Sequence, residues 1–223
     1  VILGIGIWVC SAKVLQETHK EQTDFIGFWT VLKKMITDIQ IYINVFLVAG
    51  LNAIIFSIYS ESPFVFMNVF GWSAQSYSFI GIGMALFSVF GSYLNKKFAQ
   101  NNWTSNERVQ TGLIWIVFSS SLYILPDLFQ FNVSSYFVMG WMLFSICLIF
   151  IGIVISLPSI LSEALNSYKG CLGTAGALFG FSYYLVLSIL LGLISFFSSE
   201  SFIGLLSIIF LPSSAASFSL TSL

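Results

Sequence analysis

The feature that most limits the possible folds of this sequence is a series of six apolar segments separated by short polar stretches. They cover residues 41–59, 77–94, 109–125, 136–157, 172–197 and 202–211. Predicted turns separate them at Ser62-Pro63, Asn101-Asn102, Pro126-Asp127, Leu157-Pro158 and Ser198-Ser199. A transmembrane helix needs about 20 mostly apolar residues at a rise of about 1.5 Å per residue. The first five segments approach this length, whereas Pro212 and a serine-rich tail follow the sixth directly. The series predicts an all-α membrane protein.

The composition favours the same class. Only 8% of the residues are charged, whereas 57% are apolar and phenylalanine occurs 24 times. A soluble domain carries about 25% charged residues. The formal net charge of −1 gives no reason to expect nucleic acid as a partner. Membrane lipid is the expected surrounding.

The first forty residues contain a short apolar run and a long polar stretch. Residues 1–10 are too few to span a bilayer, so we interpret them as the end of a transmembrane helix whose beginning is missing. Residues 11–40 form a loop in which apolar residues recur at helical spacing after Thr23 and Asp24: Phe25, Phe28, Trp29, Leu32, Ile36 and Ile39. The spacing predicts an amphipathic helix in the membrane interface. The alternative is a polar start to the next span.

Basic residues alternate between the loops. All eight lysines and arginines lie in loops 11–40, 95–108 and 158–170. The intervening loops contain Glu61, Asp127 and Glu200 and no basic residue. Since basic loops stay on the cytoplasmic side of a membrane, the alternation predicts that these three loops face the cytoplasm.

Polar and aromatic residues inside the spans are candidates for a binding site, because polar groups are costly in lipid. Asn44, Val48, Asn52, Phe56 and Tyr59 follow one another at steps of four or three residues, which predicts one face turned toward a water-accessible cavity. The alternative is that the amides bond to neighbouring helices. Phe181 and Tyr184 form a second aromatic candidate wall, with core or lipid contact as the alternative.

Two carboxylates, Glu61 and Glu163, lie near span ends, where partial desolvation could let them exchange protons. The alternative is a solvated or capping role. His19 is the single histidine, and Cys10, Cys147 and Cys171 form no CxxC pair. We therefore expect no metal site, no cofactor and no enzymatic activity.

Small residues recur at helical spacing at the start of the 172–197 segment: Gly173, Gly176, Ala177 and Gly180. In lipid, small residues allow two helix backbones to approach closely. The spacing predicts a tight seam with another helix, which is either fixed or moves during function.

Several motifs resemble those of major facilitator drug exporters, and most closely those of the bicyclomycin-resistance (Bcr/CflA) drug:proton antiporters. Residues 60–71 (SESPFVFMNVFG) resemble the "SPFVY-x-x-x-FG" turn after helix seven, and residues 173–181 (GTAGALFGF) resemble "GTASALLGF" at helix eleven. Residues 163–165 (EAL) lie at the usual distance upstream of the latter. Residues 15–18 (LQET) are similar to "LPET" after helix six, with Gln16 replacing proline, and residues 91–98 (GSYLNKKF) stand where the weaker loop motif falls.

The resemblance covers essentially the whole sequence. It implies the end of helix six, the central loop and the C-terminal six-helix bundle of a twelve-helix transporter of the bacterial inner membrane, with the N-terminal half missing. It further implies proton-coupled export of small apolar compounds by alternating access between the two halves. The alternatives are a major facilitator transporter for a metabolite or sugar, and a non-functional truncated fragment.

Overall fold

The computed structural model describes residues 4–5, 10–11, 27–128 and 135–197. Between residues 28 and 197 the chain forms six α-helices: α1 (Phe28–Thr37), α2 (Ile39–Phe64), α3 (Ala74–Gln100), α4 (Ser105–Leu128), α5 (Ser135–Asn166) and α6 (Leu172–Phe197). A π-helical turn (Val65–Val69) extends α2, and a 3₁₀ turn (Lys169–Cys171) precedes α6. The predicted span 202–211, the serine-rich tail and most of residues 1–26 lie outside the described residues.

Among the described residues, four stretches are long and apolar enough to cross a membrane: Ile39–Asn68, Ala74–Gln100, Tyr136–Asn166 and Lys169–Ile194. They contain four of the predicted spans, and the described residues are all-α, so the predicted class of all-α membrane protein is confirmed. The predicted span 109–125 lies within α4, which is not among the four. Its crossing of a membrane stays a prediction.

Two turns predicted at prolines are wrong. We expected the chain to leave its helices at Ser62-Pro63 and at Leu157-Pro158, yet α2 and α5 both continue past these prolines. Membrane helices tolerate proline where neighbouring groups or a local π-helical turn satisfy the backbone that proline disrupts. The π-helical turn Val65–Val69 follows Pro63 directly, and the chain reverses only at Gly71, whose φ is 69°.

The amphipathic helix of the polar loop is a separate element. It covers Phe28–Thr37 after Gly27, and the predicted start at Phe25 lies outside the described residues. Asp38 has an extended backbone conformation and separates this helix from α2. The two helices are therefore not one continuous span, which was the alternative. Val31 and Met35 are buried against the bundle, whereas Trp29 and Ile36 are exposed, so only part of its apolar surface packs on protein.

The basic residues of the described ranges lie at one end of the helix bundle, here called the basic end: Lys33, Lys34, Lys96, Lys97, Arg108 and Lys169. Lys34 on α1 donates to the Ser167 carbonyl oxygen, 3.3 Å away, beyond the end of α5. Arg108 at the start of α4 donates to Asn95 Oδ1 near the end of α3, at 3.2 Å. The other end of the bundle joins α2 to α3, where the Ser62 and Tyr77 hydroxyls lie 2.7 Å apart.

The closest helix packing joins α4 to α5. A Cβ atom at Gly112 would lie 2.6 Å from the Gly152 carbonyl oxygen, and one at Gly152 would lie 2.7 Å from the Gly112 carbonyl oxygen. Ser156 Oγ, which occupies the same seam, donates to the Val109 carbonyl oxygen at 3.3 Å. Only glycine at both positions permits this separation.

The small residues of α6 do not form the seam that we predicted within the described chain. A Cβ atom at Gly173 or Gly176 would meet nothing within 4 Å, and one at Gly180 would reach only the Tyr183 ring, 4.0 Å away. Ala177 is exposed. The helix instead packs through its other side, where Ala175 and Phe179 are buried. The predicted seam would exist only if these small residues packed on a part of the protein beyond the described residues.

Candidate functional site

A polar cavity of about 190 Å³ opens at the basic end, between α2, α4 and α5. It brings together two residues that the sequence analysis proposed separately, Asn44 from α2 and Glu163 from the last turns of α5. Three further polar side chains and three apolar ones complete its lining: Gln40, Ser105, Asn106, Leu47, Val109 and Ile160. The cavity therefore combines one carboxylate, three amides and a hydroxyl with an apolar wall.

Asn44 is the most deeply placed polar group of this cavity. Its side chain is only 4% exposed, and its Nδ2 atom is buried without a hydrogen-bond partner among the described residues. An unpaired buried donor costs about 1–3 kcal/mol. The Asn44 amide nitrogen is therefore a buried donor in the α2 wall of the cavity.

The α4 side of the cavity is positioned by a capping box. The Thr104 backbone N–H donates to Glu107 Oε2 at 2.7 Å, and the Glu107 N–H donates to Thr104 Oγ1 at 3.3 Å. These bonds fix the first turn of α4, which carries Ser105 and Asn106. The hydrogen bonds from the Thr104 backbone and hydroxyl lower the pKa of Glu107 below its usual value, because they stabilise the ionised carboxylate.

The α2 side is positioned by Asp38, whose Oδ1 accepts a hydrogen bond from the Gln40 N–H at 3.1 Å. The other oxygen, Oδ2, accepts from the Tyr168 hydroxyl at 2.9 Å, and Lys34 Nζ lies 4.6 Å from the centre of the Tyr168 ring. We call Lys34, Asp38 and Tyr168 the clamp. Burial raises the pKa of Tyr168 to about 12, and the hydrogen bond to Asp38 adds to the increase. The clamp holds the α1–α2 break against the α5–α6 connection.

A larger apolar groove of about 600 Å³ lies on the other side of α2, between α1, α2 and α6. Phe181, a predicted binding residue, forms part of its wall together with Phe28 and Tyr42. Ser182 and the Tyr42 hydroxyl supply the few polar groups among aliphatic side chains. This combination suits a small apolar molecule, since pockets for such ligands measure about 300–1,000 Å³ and contain few polar groups.

The predicted single face from Asn44 to Tyr59 is wrong. Asn44 is buried, Asn52 is half-buried and donates to the Val48 carbonyl oxygen of its own helix at 2.8 Å, and Phe56 is exposed. A step of four residues turns an α-helix by about 40° beyond a full turn, so three steps rotate the side chain by about 120°. Asn44 and Phe56 therefore point in different directions.

The remaining predicted residues lie away from the polar cavity. Tyr59 is exposed and contacts the Phe150 ring edge-on, with centroids 5.9 Å apart. Tyr184 is exposed beside Tyr183. Glu61 lies at the end of α2 opposite to Gln40, so the structure separates it from Glu163.

Sequence reasoning missed Gln40, Ser105 and Asn106, because all three stand in polar loops by composition. The signal for the last two was the T-x-x-E capping box at residues 104–107, which predicts a helix start and hence side chains facing the bundle end. No group of three or more histidine, cysteine or acidic residues that could hold a metal occurs in the part of the chain that the structure describes.

The curated proteins that are similar to this chain include two bacterial sequences. An uncharacterized transporter of Rickettsia bellii (strain RML369-C) is 27% identical over 227 residues, covering 97% of this chain and 55% of that protein. An uncharacterized transporter of Rickettsia felis (strain ATCC VR-1525 / URRWXCal2) is 26% identical over 216 residues, covering 92% of this chain and 53% of that protein. The chain thus spans about half the length of the curated relatives it matches.

No family model matches the chain. A search of solved structures also finds no match.

Proposed function

We propose that this chain forms the C-terminal half of a proton-coupled exporter of small apolar compounds, of the major facilitator type and close to the Bcr/CflA antiporters. The relatives named as transporters support transport as the general activity. The motifs at residues 60–71 and 173–181 support the narrower family. The observation that carries the choice of apolar cargo is the groove between α1, α2 and α6, with Phe181 in its wall.

Alternating access requires a second half against which this bundle moves. The exposed apolar sides of α3 and α6 supply surface for it. In the most apolar stretch of each helix, 17% of the residues are buried in α3 and 11% in α6, compared with 67% in α2 and 56% in α5. In this scheme the small residues Gly173, Gly176 and Gly180 lie where a helix of the other half approaches closely.

Coupling to protons needs an ionisable group that the transport cycle exposes to each side in turn. Among the described residues, Glu163 on α5 is the carboxylate that lines the polar cavity, which Asn44 of α2 also lines. We assign it the coupling role ahead of Glu61, which lies at the other end of α2. The three basic stretches support a cytoplasmic placement of this end in the inner membrane.

Drug export by the full-length protein tests the proposal. Expressed in bacteria that lack their own exporters, the protein should lower the accumulation of several unrelated apolar dyes. Phe181→Ala should change which dyes are exported at equal protein abundance. Phe118→Ala makes the same change on the exposed side of α4, outside the groove and outside the proposed contact with the other half, and serves as the matched control. Equal accumulation with and without the wild-type protein would contradict the proposal.

A further inference from the structure

We infer that α1 binds an anionic phospholipid of the membrane leaflet at the basic end, with Lys33 holding the lipid phosphate and Trp29 packing against the acyl chains. The inference goes beyond the proposed function, because it concerns the lipid around the protein and not the exported compound. It follows from three observations: the depth at which α1 lies, the division of its surface into three sides, and the unpaired charge of Lys33.

The position of α1 in the chain places it at the level of the lipid headgroups. Asp38 separates it from the stretch Ile39–Asn68, which is long and apolar enough to cross a membrane. The span therefore begins directly after α1. A ten-residue helix with an apolar surface at this level lies in the membrane interface, where headgroups and the upper parts of acyl chains surround it.

The surface of α1 divides into three sides around the helix axis. Val31 and Met35 pack against the bundle, and the apolar residues that follow them around the circumference line the apolar groove: Phe28, Leu32 and Ile36. Trp29 and Lys33 come next, outside the groove, and they neighbour each other because they are four residues apart. The Trp29 side chain is 71% exposed, and tryptophan is enriched at the depth of the headgroups. Among the described residues, this third side belongs neither to the bundle contact nor to the groove.

Lys33 carries a charge that no described residue balances. Its side chain is exposed, and its ammonium group has no hydrogen-bond or ion-pair partner among the described residues. Lys34, by contrast, donates to the Ser167 carbonyl oxygen and lies over the Tyr168 ring. A lysine beside apolar surface lays its hydrocarbon stem along that surface and extends its ammonium group to the headgroups. A lipid phosphate there would accept a charge-assisted hydrogen bond from Lys33.

The surrounding charge favours an anionic headgroup over a zwitterionic one. The six basic residues of the basic end outnumber the acidic residues described there, which are Asp38, Glu107 and Glu163. A zwitterionic lipid would bring an ammonium group into this excess of positive charge, whereas phosphatidylglycerol brings only its phosphate. One lysine near the membrane surface favours an anionic lipid about fivefold.

Hydrogen exchange of the full-length protein in lipid nanodiscs tests the inference. Discs of phosphatidylcholine alone are compared with discs in which about a third of the lipid is phosphatidylglycerol with the same acyl chains. Amides of residues 28–37 should exchange about fivefold more slowly in the discs that contain phosphatidylglycerol, because the bound lipid stabilises the docked helix. Free glycerol phosphate added to the phosphatidylcholine discs should have no such effect, since it has no acyl chain to contact Trp29. An equal effect of free glycerol phosphate would contradict a lipid as the ligand.

Two neighbouring lysines provide a matched pair of variants. Lys33→Gln should abolish the difference in exchange between the two kinds of disc. Lys34→Gln removes the same charge one residue away, on the side that contacts the bundle, and should keep the difference even if α1 exchanges faster in both discs. Lys97→Gln removes an exposed lysine of α3 and should leave the exchange of α1 at the wild-type level. Trp29→Ala should reduce the difference, because the lipid then loses its apolar contact.

Three results would overturn the lipid site: equal exchange of α1 in both discs for the wild type, a difference that persists in Lys33→Gln, or an equal loss of the difference in Lys33→Gln and Lys97→Gln. The last would indicate general attraction between the basic end and an anionic membrane. Because the measurement needs no transport, its failure leaves the proposed function intact. A protein that shows the lipid effect and exports nothing contradicts the proposed function alone.

Discussion

The Tyr168 hydroxyl donates a hydrogen bond to Asp38 Oδ2 at 2.9 Å, although the two residues are 130 positions apart in the sequence. Asp38 stands at the break between α1 and α2, and Tyr168 stands between α5 and α6. The pair therefore joins the polar loop that precedes the bundle to the connection between its last two described helices. Because Asp38 also caps α2 at Gln40, the same contact supports one side of the polar cavity.

Loss of this hydrogen bond should loosen α1. We expect Tyr168→Phe to lower the free energy of unfolding by about 1–3 kcal/mol, because it removes a donor to a carboxylate within a buried contact. Hydrogen exchange at residues 28–37 should accelerate in the variant. Tyr136→Phe changes an exposed tyrosine at the start of α5 and is the control. Unchanged exchange in Tyr168→Phe would show that packing alone holds α1.

Alkaline pH should loosen the same contact. The folded-state pKa of Tyr168 is raised to about 12 from a usual value near 10. Folding therefore favours the protonated form of Tyr168. The stability that this tyrosine contributes is fully present below about pH 10 and is lost as the pH rises toward 12. Hydrogen exchange of α1 measured across this range should accelerate in wild type. In Tyr168→Phe, that pH-dependent difference should disappear.

Glycines in two places should respond differently to enlargement. Gly112→Leu would push a side chain into the Gly152 carbonyl oxygen and Ser156, so we expect a loss of stability of about 3 kcal/mol or more and low protein abundance. A Cβ atom at Gly176 would meet no atom of the described residues within 4 Å, so Gly176→Leu should leave abundance unchanged. If α6 packs on the other half of the transporter, Gly176→Leu should nevertheless abolish export. Normal export by Gly176→Leu would instead indicate that this side faces lipid.

Labelling from outside the cell tests the orientation. In a background without Cys10, Cys147 and Cys171, we expect cysteines placed at Asn101 and Asn166 to resist an impermeant thiol reagent in intact cells. A cysteine at Ser73, at the opposite end of the bundle, should react. The same reagent added to permeabilised cells should label all three positions. External labelling at Asn101 or Asn166 would reverse the proposed topology.

The two candidate carboxylates should differ in their effect on proton coupling. Glu163→Gln removes the ionisable group of the polar cavity, so we expect efflux to lose most of its dependence on the pH gradient. Glu61→Gln should retain that dependence. Efflux rates of one neutral dye at several imposed gradients, in cells with equal protein abundance, would compare the variants. A flat profile in Glu61→Gln alone would move the coupling site to the other end of α2.

The sequence by itself determined the class of fold and the positions of most helices, because these depend on interactions within about 20 residues. Apolar length alone predicted six spans, and four of them coincide with described stretches long and apolar enough to cross a membrane. Asn101-Asn102 marked a real turn, where Asn102 has a φ of 60°. The same local reasoning failed at Pro63 and Pro158, since a helix buried in a bundle can continue past a proline that would end it in water.

Only the tertiary structure decided which residues meet. Asn44 and Glu163 are 119 positions apart and share a cavity because α2 and α5 pack side by side at the basic end. The closest glycine contact joins Gly112 to Gly152 rather than involving the more conspicuous small residues of α6. Small residues permit close approach on any helix, but the rotation of each helix and the choice of its partner determine where that approach occurs. These depend on packing across the whole bundle, which no local pattern in the sequence encodes.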